Sequence, residues 1–67
     1  MSFDEALDWL DTRGGRWSTH ASRSAVDVIV TLGGRQVQAT AERLHAEEVR
    51  IALVQAVQRL RAMLGTA

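Results

Sequence analysis

The feature that most constrains the fold of this chain is a pair of glycines, Gly33-Gly34, between two runs of alternating apolar and polar residues. Two adjacent glycines accept the positive φ angles that a two-residue hairpin turn requires. With these glycines in the turn, the pairs on one face, except Leu32 with Arg35, are apolar on both strands: Val30 with Val37, Val28 with Ala39, and Val26 with Ala41. A slip of one residue would destroy this agreement. The sequence therefore predicts a hairpin with strands over residues 25–32 and 35–41.

A first helix is predicted over residues 3–13. Ser2 and Glu5 have the spacing of a capping box, and Gly14 suits the position that follows a helix. Four apolar residues then share one helical face: Phe3, Ala6, Leu7 and Leu10. Trp9 points off this face, so we expect it to be an exposed aromatic residue.

A second, longer helix is predicted over residues 42–64. Thr40 is a candidate cap for its start, and Gly65 suits its end. Eight apolar residues form a continuous stripe at helical spacing: Val49, Ala52, Leu53, Ala56, Val57, Leu60, Met63 and Leu64. This stripe is expected to pack against the apolar face of the hairpin.

The segment between the first helix and the hairpin leaves two orders of elements open. Trp17 and Thr19 favour a short third strand over residues 16–20, which gives the order αβββα, whereas a loop there gives αββα. Both orders define the same fold class, a small α+β domain spanning residues 1–67 in which an antiparallel hairpin packs against a long C-terminal helix.

Self-association is predicted from a shortage of core residues together with a surplus of apolar residues elsewhere. Ten of the hydrophobic residues are alanines, and the 67-residue chain contains no cysteine to form a disulfide. Small domains without such a staple gain stability by associating. A second apolar stripe on the back of the long helix is the candidate oligomer interface, and it consists of Leu44, Ile51, Val54 and Ala62. An open edge of the sheet is a second candidate.

An alternative site for nucleic acid is a loop rich in arginine and glycine. Guanidinium groups bind phosphates and aromatic rings stack on bases, so the candidate RNA-binding residues are Arg13, Arg16, Trp17 and Arg35. The opposing interpretation is that Gly14 ends the helix and Trp17 packs on the core. Eight basic residues balance eight acidic ones, so the whole chain is not a strongly basic nucleic-acid binder.

Catalytic and metal chemistry is not indicated. Glu42 and His45 have the Glu-x-x-His spacing of di-iron proteins, but the spacing occurs once, whereas such sites combine ligands from several helices. Neither glycine pair is followed by the lysine of a phosphate-binding loop. We therefore expect no enzyme activity, no cofactor and no metal.

Residues 26–64 resemble the last hairpin and helix of the ribosome hibernation-promoting factor family. The resemblance rests on a Gly-containing hairpin that leads through Ala39-Thr40-Ala41-Glu42 into a helix with Arg59-Leu60 near its end. It implies binding to ribosomal RNA. The αββα order is also similar to small head-tail joining proteins of tailed phages, which would imply assembly into a virion. The double-stranded RNA-binding domain shares the αβββα order, but acidic residues replace the basic start of its last helix.

The sequence thus favours a small, non-enzymatic protein-protein interaction module that associates with itself, in the simplest case as a dimer. RNA or ribosome binding through the Arg/Trp loop is the alternative, and a phage-type assembly protein is a further one. No apolar run approaches the roughly 18 residues of a membrane span, and cysteine is absent. We therefore expect a cytoplasmic protein with no membrane partner.

Overall fold

The chain forms two helices and a three-stranded antiparallel sheet, and along the sequence the three strands follow the first helix and precede the second, in the order αβββα. The computed structural model describes residues 1–42 and 45–65. The elements are helix α1 (Phe3–Thr12), strands β1 (Arg16–Ala21), β2 (Val26–Leu32) and β3 (Arg35–Ala41), and helix α2 (Ala46–Met63). The strands are arranged in the order β1-β2-β3, so β2 is central and β1 and β3 are the edges. The predicted α+β class is confirmed, and the third strand that the sequence left open is present.

The β2-β3 hairpin has the register that the Gly33-Gly34 turn predicts. Val30 pairs with Val37 and Val28 pairs with Ala39. Both glycines have positive φ angles, 58° and 78°, as a type I′ turn requires. The paired apolar residues are buried on one face of the sheet, where α2 covers β2 and β3.

Helix α1 begins with the capping box that the sequence predicts. The Ser2 hydroxyl accepts a hydrogen bond from the Glu5 amide at 3.1 Å, and the Glu5 carboxylate accepts one from the Ser2 amide at 3.2 Å. The hydrogen bond from the Ser2 amide and, secondarily, the Ser2 hydroxyl lower the pKa of Glu5 from its ordinary value of 4.5 because hydrogen bonds to the carboxylate favour its charged form. Helix α1 ends at Thr12, one residue before the predicted end.

The capping box predicts a specific pH dependence. Since the pKa of Glu5 is lower in the folded chain, its ionisation stabilises the fold above about pH 4.5, and this contribution is lost as the pH falls through the folded pKa. The Glu5→Gln variant keeps an acceptor for the Ser2 amide but does not titrate. We expect wild type to unfold at a higher temperature than Glu5→Gln at pH 7, with the difference narrowing toward pH 3. A difference that stays constant in circular-dichroism melts over this range would contradict the expectation.

The predicted start of α2 is wrong. Thr40 does not cap a helix: it lies in β3, where its hydroxyl donates a 2.9 Å hydrogen bond to the carboxylate of Asp27 on β2. Ala41 still pairs with Val26 and is buried, so pairing within the sheet keeps the chain extended beyond the predicted cap. The helix begins at Ala46, after His45, and Gly65 follows its end with a φ of 68°.

The orientation of α1 differs from the prediction at Trp9. Trp9 was expected to be exposed, but it is buried, and the Arg13 guanidinium lies 4.4 Å from the centre of its ring. The buried face of α1 is formed by Ala6, Trp9 and Leu10, which leaves Phe3 and Leu7 half-buried beside it. Burying the large indole contributes more apolar area than burying Leu7, which accounts for the rotation of the helix toward Trp9.

The core is a single cluster beneath α2 and beside α1. Its largest fully buried side chains are Leu10, Val28, Val30, Leu53, Val57 and Leu60. Among the described residues, no polar or charged residue is buried. Helix α2 packs on β2 and β3, whereas α1 packs mainly on α2. This arrangement leaves β1 outside the core, although it belongs to the same sheet.

Gly15 fixes the approach of β1 to α1. Its amide donates a 2.9 Å hydrogen bond to the Leu10 carbonyl. A Cβ atom at this position would lie 2.8 Å from Leu10 Cγ and closer still to Cδ1. Leu10 is buried, so its side chain has little room to move.

Replacing Gly15 by alanine is therefore expected to lower the free energy of unfolding by about 1–3 kcal/mol, the usual cost of overpacking a core. In a Leu10→Ala background the obstruction is absent, and the same replacement is expected to cost less. A double-mutant cycle measured by urea denaturation tests this coupling. Equal costs in the two backgrounds would show that the Leu10 side chain does not impose the glycine.

Candidate interaction groove along strand β1

The helix-facing side of β1 is not covered by either helix. On this side three residues of β1 lie beside buried valines of β2, in the pairs Trp17 with Val30, Thr19 with Val28, and Ala21 with Val26. The valines are at most 5% exposed, whereas every residue of β1 is exposed and Trp17 retains 43% of its surface. The apolar layer of the sheet thus extends one strand beyond its helical cover.

The uncovered side of β1 forms the floor of a groove, which we call the β1 groove. Its floor consists of Trp17, Thr19 and Ala21, and its wall is built from both helices. Near Trp17 the wall consists of Leu7, Asp8, Leu10 and Asp11 of α1. Near Ala21 it consists of Phe3 of α1, His45, and Ala46, Val49 and Arg50 of α2.

The two ends of the β1 groove carry opposite charges. Asp8 and Asp11 flank the Trp17 end, whereas Arg50 flanks the Ala21 end. The Arg50 guanidinium lies 5.4 Å from the centre of the Phe3 ring, which holds it beside the groove. The groove is therefore an apolar strip with an acidic end and a basic end.

The backbone edge of β1 is open along the same strip. The Ser22 amide donates to the Ala25 carbonyl at 2.9 Å, and hydrogen-bonded and non-hydrogen-bonded pairs alternate along an antiparallel ladder. The N–H and C=O groups of Trp17, Thr19 and Ala21 consequently point away from β2. Within the part of the chain that the structure describes, nothing pairs with these three backbone units.

The opposite edge of the sheet is partly covered. Arg59 of α2 donates a 3.4 Å hydrogen bond to the outward-facing carbonyl of Gln38 on β3. A charged side chain over an edge carbonyl discourages a further strand from pairing there. Of the two edges, β1 is the more accessible.

The residues predicted as an oligomer interface differ in exposure in the described part of the chain. Leu44 lies outside the described residues. Ile51 is 52% exposed and Ala62 is exposed, but Val54 is half-buried against the core. Val54 and Ile51 line a shallow depression beside Met1 and Phe3 at the start of α1.

The residues predicted to bind RNA lie on three different elements, α1, β1 and β3. Arg13 is held on α1, where its guanidinium covers Trp9 and donates a 3.1 Å hydrogen bond to the Trp9 carbonyl. Arg16 and Trp17 are adjacent in β1, so their side chains lie on opposite faces of the sheet. Arg35 follows the hairpin turn and shares that end of the sheet with Arg16, with β2 between them.

Sequence reasoning identified Trp17 but did not place it in a groove. The interpretation of Trp17 as a base-stacking residue grouped it with the preceding arginines and glycines, and residues 16–20 lack the clear apolar alternation that predicts a strand. The sequence did not indicate that Thr19, Ala21 and Asp8 line the same groove as Trp17. The alternation of Trp17, Thr19 and Ala21 becomes informative once the register against the three valines of β2 is known.

In residues 1–42 and 45–65, no three His, Asp or Glu side chains are grouped as a metal site would require. In the same ranges, neither helix combines the length and apolar character needed to cross a bilayer.

Comparison of the chain with protein-family models, curated proteins and solved structures found no significant match.

Proposed function

We propose that this protein is a small, non-enzymatic interaction module that associates with a second copy of itself through the β1 groove and the adjoining strand edge. The observation that carries the proposal is the exposure of the helix-facing side of β1. Trp17 is 43% exposed although it neighbours Val30, which is fully buried in the same layer of the sheet. A partner that covers Trp17 would extend the existing core rather than create a separate one.

A second copy suits the β1 groove because of the charge at its ends. A partner that runs antiparallel to β1 needs basic groups beside Asp8 and Asp11, and acidic groups beside Arg50. Another copy of the same groove, turned end for end, supplies both. Complementary charges of this kind fix the orientation of partners and disfavour the parallel arrangement.

The β1 edge also meets the general requirement for pairing between chains. An exposed edge strand presents unpaired N–H and C=O groups that accept another strand. Trp17 supplies the kind of large, amphipathic aromatic residue that contributes strongly to protein interfaces. The same three residues of β1, Trp17, Thr19 and Ala21, thus offer both unpaired backbone groups and exposed apolar surface to a partner.

Molar mass measured by light scattering over a range of protein concentrations tests the proposal. We expect the mass to rise from that of one 7.4 kDa chain toward twice this value as the concentration increases. A mass of one chain up to millimolar concentration would contradict it. Single-stranded RNA binding at low salt by such a monomer, lost in Arg16→Ala, would assign Trp17 and Arg16 to the nucleic-acid alternative instead.

A further inference from the structure

We infer that two copies pair their β1 strands antiparallel about Thr19, so that two three-stranded sheets become one sheet of six strands. This inference rests on the proposed self-association and specifies its geometry. The two-fold axis would pass between the two Thr19 residues, perpendicular to the sheet. Both helical layers would then lie on the same face of the combined sheet.

The outward-facing backbone groups restrict the register. Only Trp17, Thr19 and Ala21 have N–H and C=O groups directed toward the open edge, so these residues must form the hydrogen-bonded pairs between copies. A pairing centred on Thr19 uses all three: Thr19 lies opposite Thr19 of the second copy, and Trp17 lies opposite Ala21. Centring the pairing one residue earlier or later leaves one of the three without an outward-facing partner.

The side chains on the helix-facing side are compatible with this register. The indole of Trp17 lies opposite the methyl group of Ala21 of the second copy, so the bulkiest residue of the strip meets the smallest. The two threonines at the centre are opposite each other, and cross-strand threonine pairs are favourable. The two β1 grooves then join into one apolar trough two strands wide.

Side chains on the other face of the sheet distinguish this register from its neighbours. With the axis at Thr19, Arg16 lies opposite Ser22 of the second copy, and Ser18 lies opposite His20. With the axis at Ser18, Arg16 would lie opposite His20. With the axis at His20, the two histidines would lie opposite each other. The Thr19 register therefore places Arg16 and His20 each opposite a serine, whereas each neighbouring register places His20 opposite Arg16 or opposite itself.

The walls of the trough favour the same orientation. The antiparallel pairing brings the Trp17 end of one groove against the Ala21 end of the other. Asp8 and Asp11 of each copy therefore lie at the same end of the trough as Arg50 of the second copy. Because the arrangement is symmetric, the acidic end of one groove meets the basic end of the other at both ends of the trough.

Variants with a single introduced cysteine report the register directly through disulfide formation between copies, since the wild-type chain contains no cysteine. A disulfide requires Cα atoms within about 7 Å, which only a residue facing itself across the axis satisfies. We expect Thr19→Cys to form disulfide-linked dimers in a glutathione buffer at least about tenfold faster than Ser18→Cys or His20→Cys, because pairing raises the effective thiol concentration. Mass spectrometry of the intact protein measures the rate at which disulfide-linked dimers form. Light scattering of each reduced variant checks that it still associates.

Each outcome of this experiment has a separate meaning. Faster cross-linking of Thr19→Cys in chains that associate supports the Thr19 register. Faster cross-linking of Ser18→Cys or His20→Cys, or equal rates for all three in associating chains, overturns the register while the proposed self-association remains. A reduced wild-type chain that stays monomeric overturns both.

Discussion

Replacing Leu53 by alanine is expected to lower the free energy of unfolding by about 2–5 kcal/mol, the range for a large aliphatic residue removed from a packed core. Leu53 is fully buried on the face of α2 that covers β2 and β3. The loss is large relative to the roughly 5–15 kcal/mol by which small proteins are stable. In a chain of 67 residues it is expected to leave a substantial unfolded population at 37 °C.

Ile51→Ala is the matched control for Leu53. Ile51 lies two residues earlier in the same helix and is 52% exposed, so its replacement is expected to change the free energy of unfolding by less than about 0.5 kcal/mol. Urea denaturation of both variants at one fixed protein concentration measures the difference, since association adds concentration-dependent stability. Equal losses for the two variants would show that α2 presents a different face to the sheet.

Replacing Trp17 by aspartate is expected to weaken self-association by at least about 100-fold, which corresponds to about 2.8 kcal/mol. The change removes the largest apolar surface of the β1 groove and adds a third acidic group beside Asp8 and Asp11. In a symmetric dimer both copies lose the same contact. Aromatic residues at the centre of an interface commonly have effects of this size.

Ile51→Asp provides the comparison for the Trp17 variant. Ile51 has an exposure similar to that of Trp17, but it lies on α2, within the interface that the sequence alone favoured. We expect Ile51→Asp to retain the wild-type dissociation constant in sedimentation equilibrium. Circular dichroism checks that both variants remain folded. Loss of association in Ile51→Asp but not in Trp17→Asp would move the interface from the β1 groove to the back of α2.

Local patterns were sufficient to predict the hairpin and the position of the main core. The Gly33-Gly34 turn and the alternation on either side determine the register, because a shifted register would expose the valines of β2. The stripe on α2 also predicted Leu53, Val57 and Leu60 as buried residues. These features depend on neighbours in sequence or on a single strand pair.

The remaining features depend on how the helices sit on the sheet, which no local pattern specifies. Trp9 is buried because α1 rotates toward α2, and Thr40 remains in β3 because Ala41 still pairs with Val26. The β1 groove results from the placement of the helices, since α1 packs mainly on α2, and α2 packs on β2 and β3. For this reason the sequence predicted an open sheet edge as a candidate interface without indicating which edge is open.

Hydrogen exchange of the β1 amides tests the central claim most directly, because it observes the wild-type chain and each backbone group separately. At a concentration where light scattering gives the mass of two chains, we expect the amides of Trp17, Thr19 and Ala21 to be protected to a degree similar to those of Ser18 and His20. The latter two face β2 and are protected within a single chain. Rapid exchange at Trp17, Thr19 and Ala21 in an associated chain would contradict pairing through this edge.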